Sequence, residues 1–257
     1  MKNQTIKNIL IGISSLIAMW LFWSFAVILV DNEYVIPTVK ETFISFFDLI
    51  KRAFFWKSIC RTLVKVIIAL AISFVFAGIL SSLAKTFKTF GKFFNPFITV
   101  IRTLPTMAIL VLILIYSTRT LAPIIVASLV LFPMIYAQFS QAFDTIDENV
   151  INTTKVFNLS RKQKLLKVYL PMIIPPVVSN TGSNLSFTIK LIISAEVMSK
   201  TYTSIGGMMD NAGSLMNVSE LMALTIIAVI LGLLVEVIFN LIFSRAFAWT
   251  KREAQND

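Results

Sequence analysis

The sequence contains no histidine and a single cysteine, Cys60. One cysteine cannot form a disulfide within the chain, and without histidine the usual Cys/His zinc sites cannot form. General-base catalysis by histidine is excluded as well. These absences remove disulfide-stabilised domains, zinc modules and histidine-dependent enzymes from the possible classes of protein.

Charged residues are also scarce. They make up 14% of the chain while hydrophobic residues make up 57%, whereas soluble domains average about 25% charged and about 45–50% apolar. The mean hydropathy is +0.83. The net charge of +10 comes from lysines and arginines in the gaps between apolar runs, a pattern that orients membrane proteins. The composition therefore predicts a protein embedded in the lipid bilayer, with no nucleic-acid partner.

Several apolar runs are long enough to cross a hydrocarbon core, which takes about 20 helical residues. Backbone polar groups in lipid must be satisfied within a helix or a closed barrel, and these runs are continuous rather than alternating, so they predict helices. The predicted fold class is all-α, a polytopic transmembrane bundle forming one domain over residues 1–257. The predicted spans are 9–30, 62–84, 95–117, 121–140, 172–195 and 219–243.

The connections between spans indicate orientation, because lysine and arginine accumulate on the cytoplasmic side. The connections after spans two and four and the carboxyl tail are rich in both residues. Those after spans three and five carry little beyond Arg119 and Lys200. The exception is the first outer connection, which holds Lys51, Arg52, Lys57 and Arg61. The balance predicts that both termini lie in the cytoplasm.

The first outer connection also contains a helix signal. Thr38 and Glu41 have the spacing of a capping box, and phenylalanines then recur with helical periodicity from Phe43 to Phe47, followed by Ile50. This pattern predicts an amphipathic helix over 38–55 lying along the outer interface. A short helix that only packs against the bundle fits the pattern equally well.

The long connection over residues 141–171 is polar, basic and compatible with helix. Asp147 and Glu148 stand where acids favour a helix start, and Asn158 stands where a left-handed residue would end that helix. Ser160 and Gln163 have the spacing of a second capping box. The sequence therefore predicts a helix, a tight turn and a second helix at the inner membrane face.

This connection resembles the EAA motif of permease subunits in binding-protein-dependent ABC importers. The family pattern is roughly Glu-Ala-Ala, three residues, Gly, then Ser and Gln, and finally Leu-Pro. The spacing is kept, whereas the acid, the alanines and the glycine are not. The matching positions are Asn152, Thr153, Thr154, Asn158, Ser160, Arg161, Gln163 and Pro171. The residues alone are equally compatible with a generic basic loop beside the inner leaflet.

Further segments are similar to the same family, and to its sulfonate, nitrate, taurine and thiamine-precursor branch. They are Ile101–Leu112, Ser194–Gly213 and the stretch that begins at Val35. The resemblance implies that the 141–171 loop couples the spans to two copies of a cytoplasmic ABC ATPase. It also implies a second permease copy, an extracytoplasmic substrate-binding protein, and no cofactor on this chain, since ATP and Mg²⁺ bind the ATPase.

Polar residues inside the spans need a partner or water, because a charge at bilayer depth costs at least about 2.5–3.5 kcal/mol. Arg102 is predicted to line a path or gate, to snorkel, or to pair with Glu236. Small polar residues crowd span five and predict a helix interface, a path, or both. With Arg102, the candidate path and gate residues are Pro105, Asn180, Ser183, Asn184, Lys190 and Glu196.

Two other classes of function fit the sequence less well. An integral-membrane enzyme would need paired acids, histidine or cysteine near one face, and the sequence offers only scattered acids. A channel or stand-alone transporter would be expected to show broken helices in two corresponding halves, and no such repeat is present. The sequence has no Walker-type nucleotide-binding loop. Beyond the outer end of span five, Gly206, Gly207 and Gly213 flank a segment predicted to be flexible, which is a gate, a contact for the binding protein, or a turn with no function.

Overall fold

The computed structural model of the protein describes residues 2–246, and these residues contain helices and no strand. The carboxyl tail after Ala246, which contributed to the orientation argument, lies outside this range. In chain order the helices are α1 Lys2–Val30, α2 Val39–Lys51, α3 Ala53–Thr86, α4 Lys88–Thr103, α5 Thr106–Tyr116, α6 Ala122–Asp144, α7 Glu148–Val156, α8 Arg161–Lys164, α9 Leu170–Ser179, α10 Thr181–Ser199, α11 Ile205–Ser214 and α12 Val218–Ala246. The predicted all-α helical bundle is confirmed.

Four helices of this range are long and apolar enough to cross a membrane. They contain the stretches Leu10–Val30, Ala53–Thr86, Ala122–Asp144 and Val218–Arg245. A fifth span is possible if α4 and α5, which meet at an angle of 95°, are counted together. Two of the six predicted spans, the third and the fifth, are each divided between two helices.

The third predicted span, 95–117, is broken at Leu104 and Pro105. Both residues are extended, with φ −66° and ψ 132° at Leu104. Proline has no N–H to donate, and its ring disfavours helical geometry in the residue before it. The chain therefore leaves the helix at Leu104, and α5 starts in a new direction at Thr106.

The fifth predicted span, 172–195, is shared by α9 and α10, which meet at Asn180. A π-helical turn, Leu165–Tyr169, comes before α9. Pro171 has no N–H to offer the carbonyl group four residues earlier, which favours irregular helix at this point. Because α10 is rich in polar residues, it is not among the helices that are long and apolar enough to cross a membrane.

The first outer connection forms the predicted helix but a shorter one. Thr38 and Glu41 make the capping box, and α2 ends at Lys51 rather than near residue 55, because Arg52 is extended. Thr42 and Leu49 form its buried face, with Phe46 and Ile50 packed against the core. Phe43 and Phe47 remain exposed. Part of the predicted apolar face therefore points away from the bundle.

The centre of the bundle is formed by α3, α6 and α10. The α3 and α6 helices approach closely through small residues, and Ser73 Oγ donates to the carbonyl oxygens of Ala69 at 2.8 Å and Ser128 at 3.0 Å. Small residues and hydroxyls at such contacts are typical of helices packed in lipid. One apolar cluster joins α3 to α10, α11 and α12, and a second joins α3 to α6 and α9. These contacts fix the helices that carry the candidate sites.

Candidate functional site

The predicted helix–turn–helix is present at the end of α6. Asp147 caps α7, its Oδ1 accepting the backbone N–H of Asn149 at 2.7 Å. The chain reverses at Asn158, which is left-handed with φ 49°, and the N–H of Leu159 bonds the carbonyl of Thr154 at 3.2 Å. This is the six-residue closure of a Schellman motif. Asparagine is tolerated here because its short polar side chain accepts left-handed geometry.

The second helix begins with the predicted capping box. The backbone N–H of Ser160 donates to Gln163 Oε1 at 2.9 Å, and the N–H of Gln163 donates to Ser160 Oγ at 3.3 Å. The helix continues through α8 and the π-helical turn into α9, where Pro171 lies near the start. We call residues 147–163 the α7 knob. Their local chemistry forms the bend that the sequence predicted.

The remaining predicted residues of the α7 knob differ in exposure. Asn152 and Thr153 are exposed, and Thr154 is buried. The backbone of Arg161 starts α8, while its side chain lies outside the described part of the structure. Thr153 donates to the carbonyl oxygen of Asn149 at 2.8 Å. The Glu-Ala-Ala positions therefore include one inward-facing residue and two on the surface.

The tip of the α7 knob carries two apolar side chains that the sequence analysis did not single out. Val156 is 79% exposed and Phe157 is 71% exposed. They stand directly before the left-handed turn at Asn158. This apolar tip could have been predicted from the sequence, because the two apolar residues stand just before the predicted helix C-cap of a polar loop. An exposed aromatic residue on a rigid bend is suited to a groove in another protein.

The α10 helix divides its polar residues between two sides. Asn184 is buried and exchanges hydrogen bonds with Gln138 at 3.0 and 3.2 Å. Asn180, Ser183 and Lys190 are exposed. Of the candidate residues on this helix, Asn184 therefore holds α10 to α6, while the others are accessible to a ligand or a partner.

The exposed side of α10 continues onto α12 through one contact. Ser183 Oγ donates to Glu236 Oε1 at 2.9 Å. Lys190 lies two turns further along α10 and borders a cavity of about 370 Å³ between α10, α11 and α12. We call Ser183, Lys190, Ser194 and Glu236 the α10 polar face. Within the described residues, Lys190 has no carboxylate within ion-pair distance.

Arg102 lies at the α4 end of the Leu104–Pro105 break and is exposed. Its guanidinium donates to the carbonyl oxygen of Pro133 at 3.5 Å. The suggested pairing of Arg102 with Glu236 was wrong, since Glu236 accepts from Ser183. Arg102 and Pro105 are thus grouped at the bend between α4 and α5, apart from the α10 polar face.

Glu196 is fully buried in the structure and does not face an open path. Its carboxylate is 2.6 Å from Lys65 Nζ, and Thr62 Oγ1 donates to it at 2.9 Å. Lys65 is itself only 5% exposed. We call Thr62, Lys65 and Glu196 the α11 clamp. Lys65 was not among the predicted site residues, although a lysine inside an apolar span requires a carboxylate partner.

The α11 clamp holds the beginning of α11. The N–H of Gly206 donates to Glu196 Oε2 at 3.3 Å, and the N–H of Ile205 donates to Thr62 Oγ1 at 3.1 Å. Ser204 caps the same helix by accepting the N–H of Gly207 at 2.9 Å. A carboxylate at a helix N-terminus is also favoured by the helix dipole. The segment predicted to be flexible is therefore a well-anchored helix.

Two glycines permit this close approach. A side chain at Gly206 would overlap Glu196 and the backbone of α10, and one at Gly207 would overlap the carbonyl oxygen of Thr201. We expect Gly207→Ala to lower the stability of the protein by about 1–3 kcal/mol, because backbone must move to admit the methyl group. The melting temperature of the purified protein in detergent measures this effect.

Gly213 in the same helix is the matched control for Gly207. A methyl group there would meet no atom within 4 Å. Gly213→Ala should therefore be neutral or stabilise the helix by up to about 1 kcal/mol. Equal melting temperatures for the two variants would contradict the close approach of α11 to Thr201.

Comparisons with known proteins agree with this architecture. The family model described as "Binding-protein-dependent transport system inner membrane component" matches residues 74–249. No curated protein sequence matches the chain.

Solved structures similar to this chain include three ABC transporters. An amino acid ABC transporter has a TM-score of 0.65 at 15% identity, covering 78% of this chain and 98% of its own. A bacterial ABC transporter involved in the import of alginate has 0.66 at 14%, covering 90% and 98%. The MetNI methionine ABC transporter has 0.59 at 19%, covering 74% and 93%. At these identities the likeness shows the shared fold.

Proposed function

We propose, from the premise that this chain belongs to the family of binding-protein-dependent transport system inner membrane components, that it is the membrane-spanning permease subunit of an ATP-driven importer. The family consists of transport components and not of enzymes. Its description also agrees with the apolar helices in assigning the chain to the inner membrane. The observation that carries the proposal is the α7 knob.

The α7 knob has the features required of a docking element for a motor protein. Its bend is fixed by the Asn158 turn and the Ser160–Gln163 capping box. Because the bend is rigid, a displacement of the tip by the ATPase moves α9 as well. Its tip exposes Val156 and Phe157. We assign it to a groove in a cytoplasmic ABC ATPase, with one ATPase for each permease copy.

Docking of the α7 knob to a cytoplasmic ATPase also assigns each end of the bundle to one side of the membrane. The α7 knob and the ends of α3 and α6, joined by the Lys85–Asp144 ion pair at 2.8 Å, face the cytoplasm together with both termini. The α2 and α11 helices then face outward, where an extracytoplasmic binding protein delivers the solute. One solved structure of the alginate transporter is a complex with an alginate pentasaccharide-bound periplasmic protein.

A second copy of the chain completes the path. The α10 polar face exposes Lys190 and the Ser183–Glu236 pair, and polar groups at bilayer depth need protein or water around them. Closed two-fold assemblies of identical chains are the commonest oligomers. Two copies related in this way would enclose the α10 polar faces between them and keep these groups away from lipid.

Reconstitution of the full chain tests the permease role. The protein is purified from its native membranes with the polypeptides that accompany it and placed in liposomes containing ATP. Uptake is expected to require both the ATPase and the external binding protein. Solute flux through the chain alone, without ATP, would instead identify a channel or a stand-alone transporter.

The solute is assigned to the small anionic or organic compounds of the branch that the sequence resembles, of the sulfonate, nitrate, taurine or thiamine-precursor type, and among these to an anion. Lys190 supports this assignment, because it is a cation on the α10 polar face with no described carboxylate in reach. In a two-fold pair, two such cations would stand at the same depth. An anion passing between them would provide the missing counter-charge.

Replacing Lys190 by Met should reduce anion uptake by about tenfold or more, the loss of one charge-assisted contact of about 1.5–3 kcal/mol. The measurement is the initial rate of ATP-driven uptake against solute concentration. Lys40→Met, which removes an exposed lysine of α2, is the matched control and should leave the rate unchanged. Equal uptake by the Lys190→Met variant and the original protein would remove the anion assignment without affecting the permease role.

A further inference from the structure

Two cations near the start of α3 remain unexplained by the transport path. Of the basic residues that make the first outer connection unusual, Lys51 pairs with Asp48 at 3.0 Å and Arg52 pairs with Glu220 at 3.0 Å. Lys57 and Arg61 are exposed and have no ion pair in the described part of the chain. Exposed cations at a membrane surface attract the headgroups of anionic lipids.

Arg61 lines a cleft between α3, α6 and the α10–α11 connection, and Lys57 lies one turn before Arg61 on α3. The cleft has a volume of about 460 Å³. Lys57, Arg61, Val64 and Ile68 recur at the spacing of one helix face, and Arg61, Val64 and Ile68 all line the cleft. Ile124 of α6 forms the opposite apolar wall. We call this site the α3 cleft.

The α3 cleft is polar at one end and apolar at the other. Arg61, Thr203 and the exposed Tyr202 lie at the mouth. Val64 and Ile68 follow one and two turns deeper along α3, so the cleft extends about 10 Å from the cation. Aromatic residues such as Tyr202 and Trp56, which is 53% exposed, concentrate at membrane–water interfaces. The change from polar to apolar therefore coincides with the edge of the bilayer.

The neighbouring lysine does not compete for the same ligand. Lys65 also borders the cleft, but its Nζ is 2.6 Å from the buried Glu196 carboxylate, which neutralises its charge. The cationic character of the mouth therefore comes from Arg61, with Lys57 one turn beyond it. A small free anion would leave the apolar wall of Val64, Ile68 and Ile124 uncovered.

We propose that the α3 cleft is a binding site for an anionic phospholipid. The phosphate group bonds Arg61 and is attracted by Lys57, and one acyl chain lies along Val64, Ile68 and Ile124. The lipid lies against the same turn of α3 that holds the α11 clamp through Thr62 and Lys65. Lipid binding and the position of α11 are thereby linked through α3.

Native mass spectrometry of the purified complex tests the site. Phosphatidylglycerol and phosphatidylcholine of equal chain length are titrated separately into delipidated protein. Each basic residue near an anionic lipid contributes about fivefold in affinity, so phosphatidylglycerol is expected to bind about 25-fold more tightly. Equal retention of the two lipids would overturn the proposal.

Variants and a chemical block locate the binding step. Lys57→Gln with Arg61→Gln should abolish the preference for phosphatidylglycerol, while Lys40→Gln, an equally exposed lysine on α2, should preserve it. A comparable loss in Lys40→Gln would show an effect of overall charge and overturn the proposed location.

Cys60 is the only cysteine of the chain and lines the α3 cleft. Alkylating Cys60 with a benzyl maleimide, in protein that carries no substitution, should prevent the tight binding of phosphatidylglycerol.

Inorganic phosphate distinguishes a lipid site from a site for free anions. Phosphate at millimolar concentration is expected to leave phosphatidylglycerol bound, because it makes no contact with the apolar wall. Displacement of the lipid by phosphate alone would assign the α3 cleft to a soluble anion and overturn the lipid proposal. Neither outcome bears on the permease role, because that role rests on the α7 knob.

Discussion

Replacing Lys65 by Met is expected to lower the free energy of unfolding by about 3–5 kcal/mol, because the substitution leaves the Glu196 carboxylate buried without its counter-ion. The carboxylate is fully buried and 2.6 Å from Lys65 Nζ. The melting temperature of the purified protein in detergent should fall sharply. Amide exchange at Ile205 and Gly206, whose N–H groups bond Thr62 and Glu196, should become faster.

A second substitution provides the control for this prediction. Glu196→Gln in the Lys65→Met background removes both charges and retains a carbonyl oxygen for Thr62 and Gly206. Replacing a buried ion pair as a unit is often close to neutral, so the double variant should recover most of the lost stability. A double variant less stable than Lys65→Met would show that the charges are not coupled. A Lys65→Met variant as stable as the original protein would contradict the stabilising role given to the α11 clamp.

Local chemistry was the most predictable part of this fold. The capping box at Thr38, the left-handed turn at Asn158 and the capping box at Ser160 were all expected from residue types at fixed spacings. Each is present in the structure. Such features depend on atoms within a few residues of one another, so no knowledge of the tertiary structure is needed to predict them.

Span continuity was less predictable, because hydropathy averages over the residues that break a helix. The run 95–117 is apolar on average, yet Leu104 and Pro105 divide it and its two halves differ in direction by 95°. Proline is tolerated in membrane helices when neighbours satisfy the freed backbone groups. Whether such a proline kinks a span or ends a helix is decided by those neighbours and not by the local sequence.

Long-range pairs were the hardest to predict. Lys65 and Glu196 are 131 residues apart, and Arg102 was matched with Glu236 although it bonds a backbone carbonyl. The need of each cation at bilayer depth for a partner or water was visible in the sequence, and few acids lie in the spans. The correct choice among them requires the packing of α3 against α10, which no periodicity in a single sequence reveals.

Placing a charge at the tip of the α7 knob should abolish ATP-driven uptake. Phe157 is 71% exposed and follows the last residue of α7, so Phe157→Asp changes the docking surface without creating a cavity in the bundle. Aromatic anchors in partner grooves are typically worth about 2–4 kcal/mol. Binding of the ATPase should weaken by about 30-fold or more. Co-purification of the ATPase and ATP-driven uptake in liposomes measure the two effects.

Tyr34→Asp is the matched control, because Tyr34 is 75% exposed in the connection before α2, far along the chain from the α7 knob. Its melting temperature, ATPase binding and uptake should remain those of the original protein. The decisive comparison is a Phe157→Asp variant with a normal melting temperature. Normal ATPase binding and uptake in that variant would contradict docking through the α7 knob. Loss of both with the fold intact would mean that the rigid Asn158 bend transmits force only when its apolar tip is held by the motor.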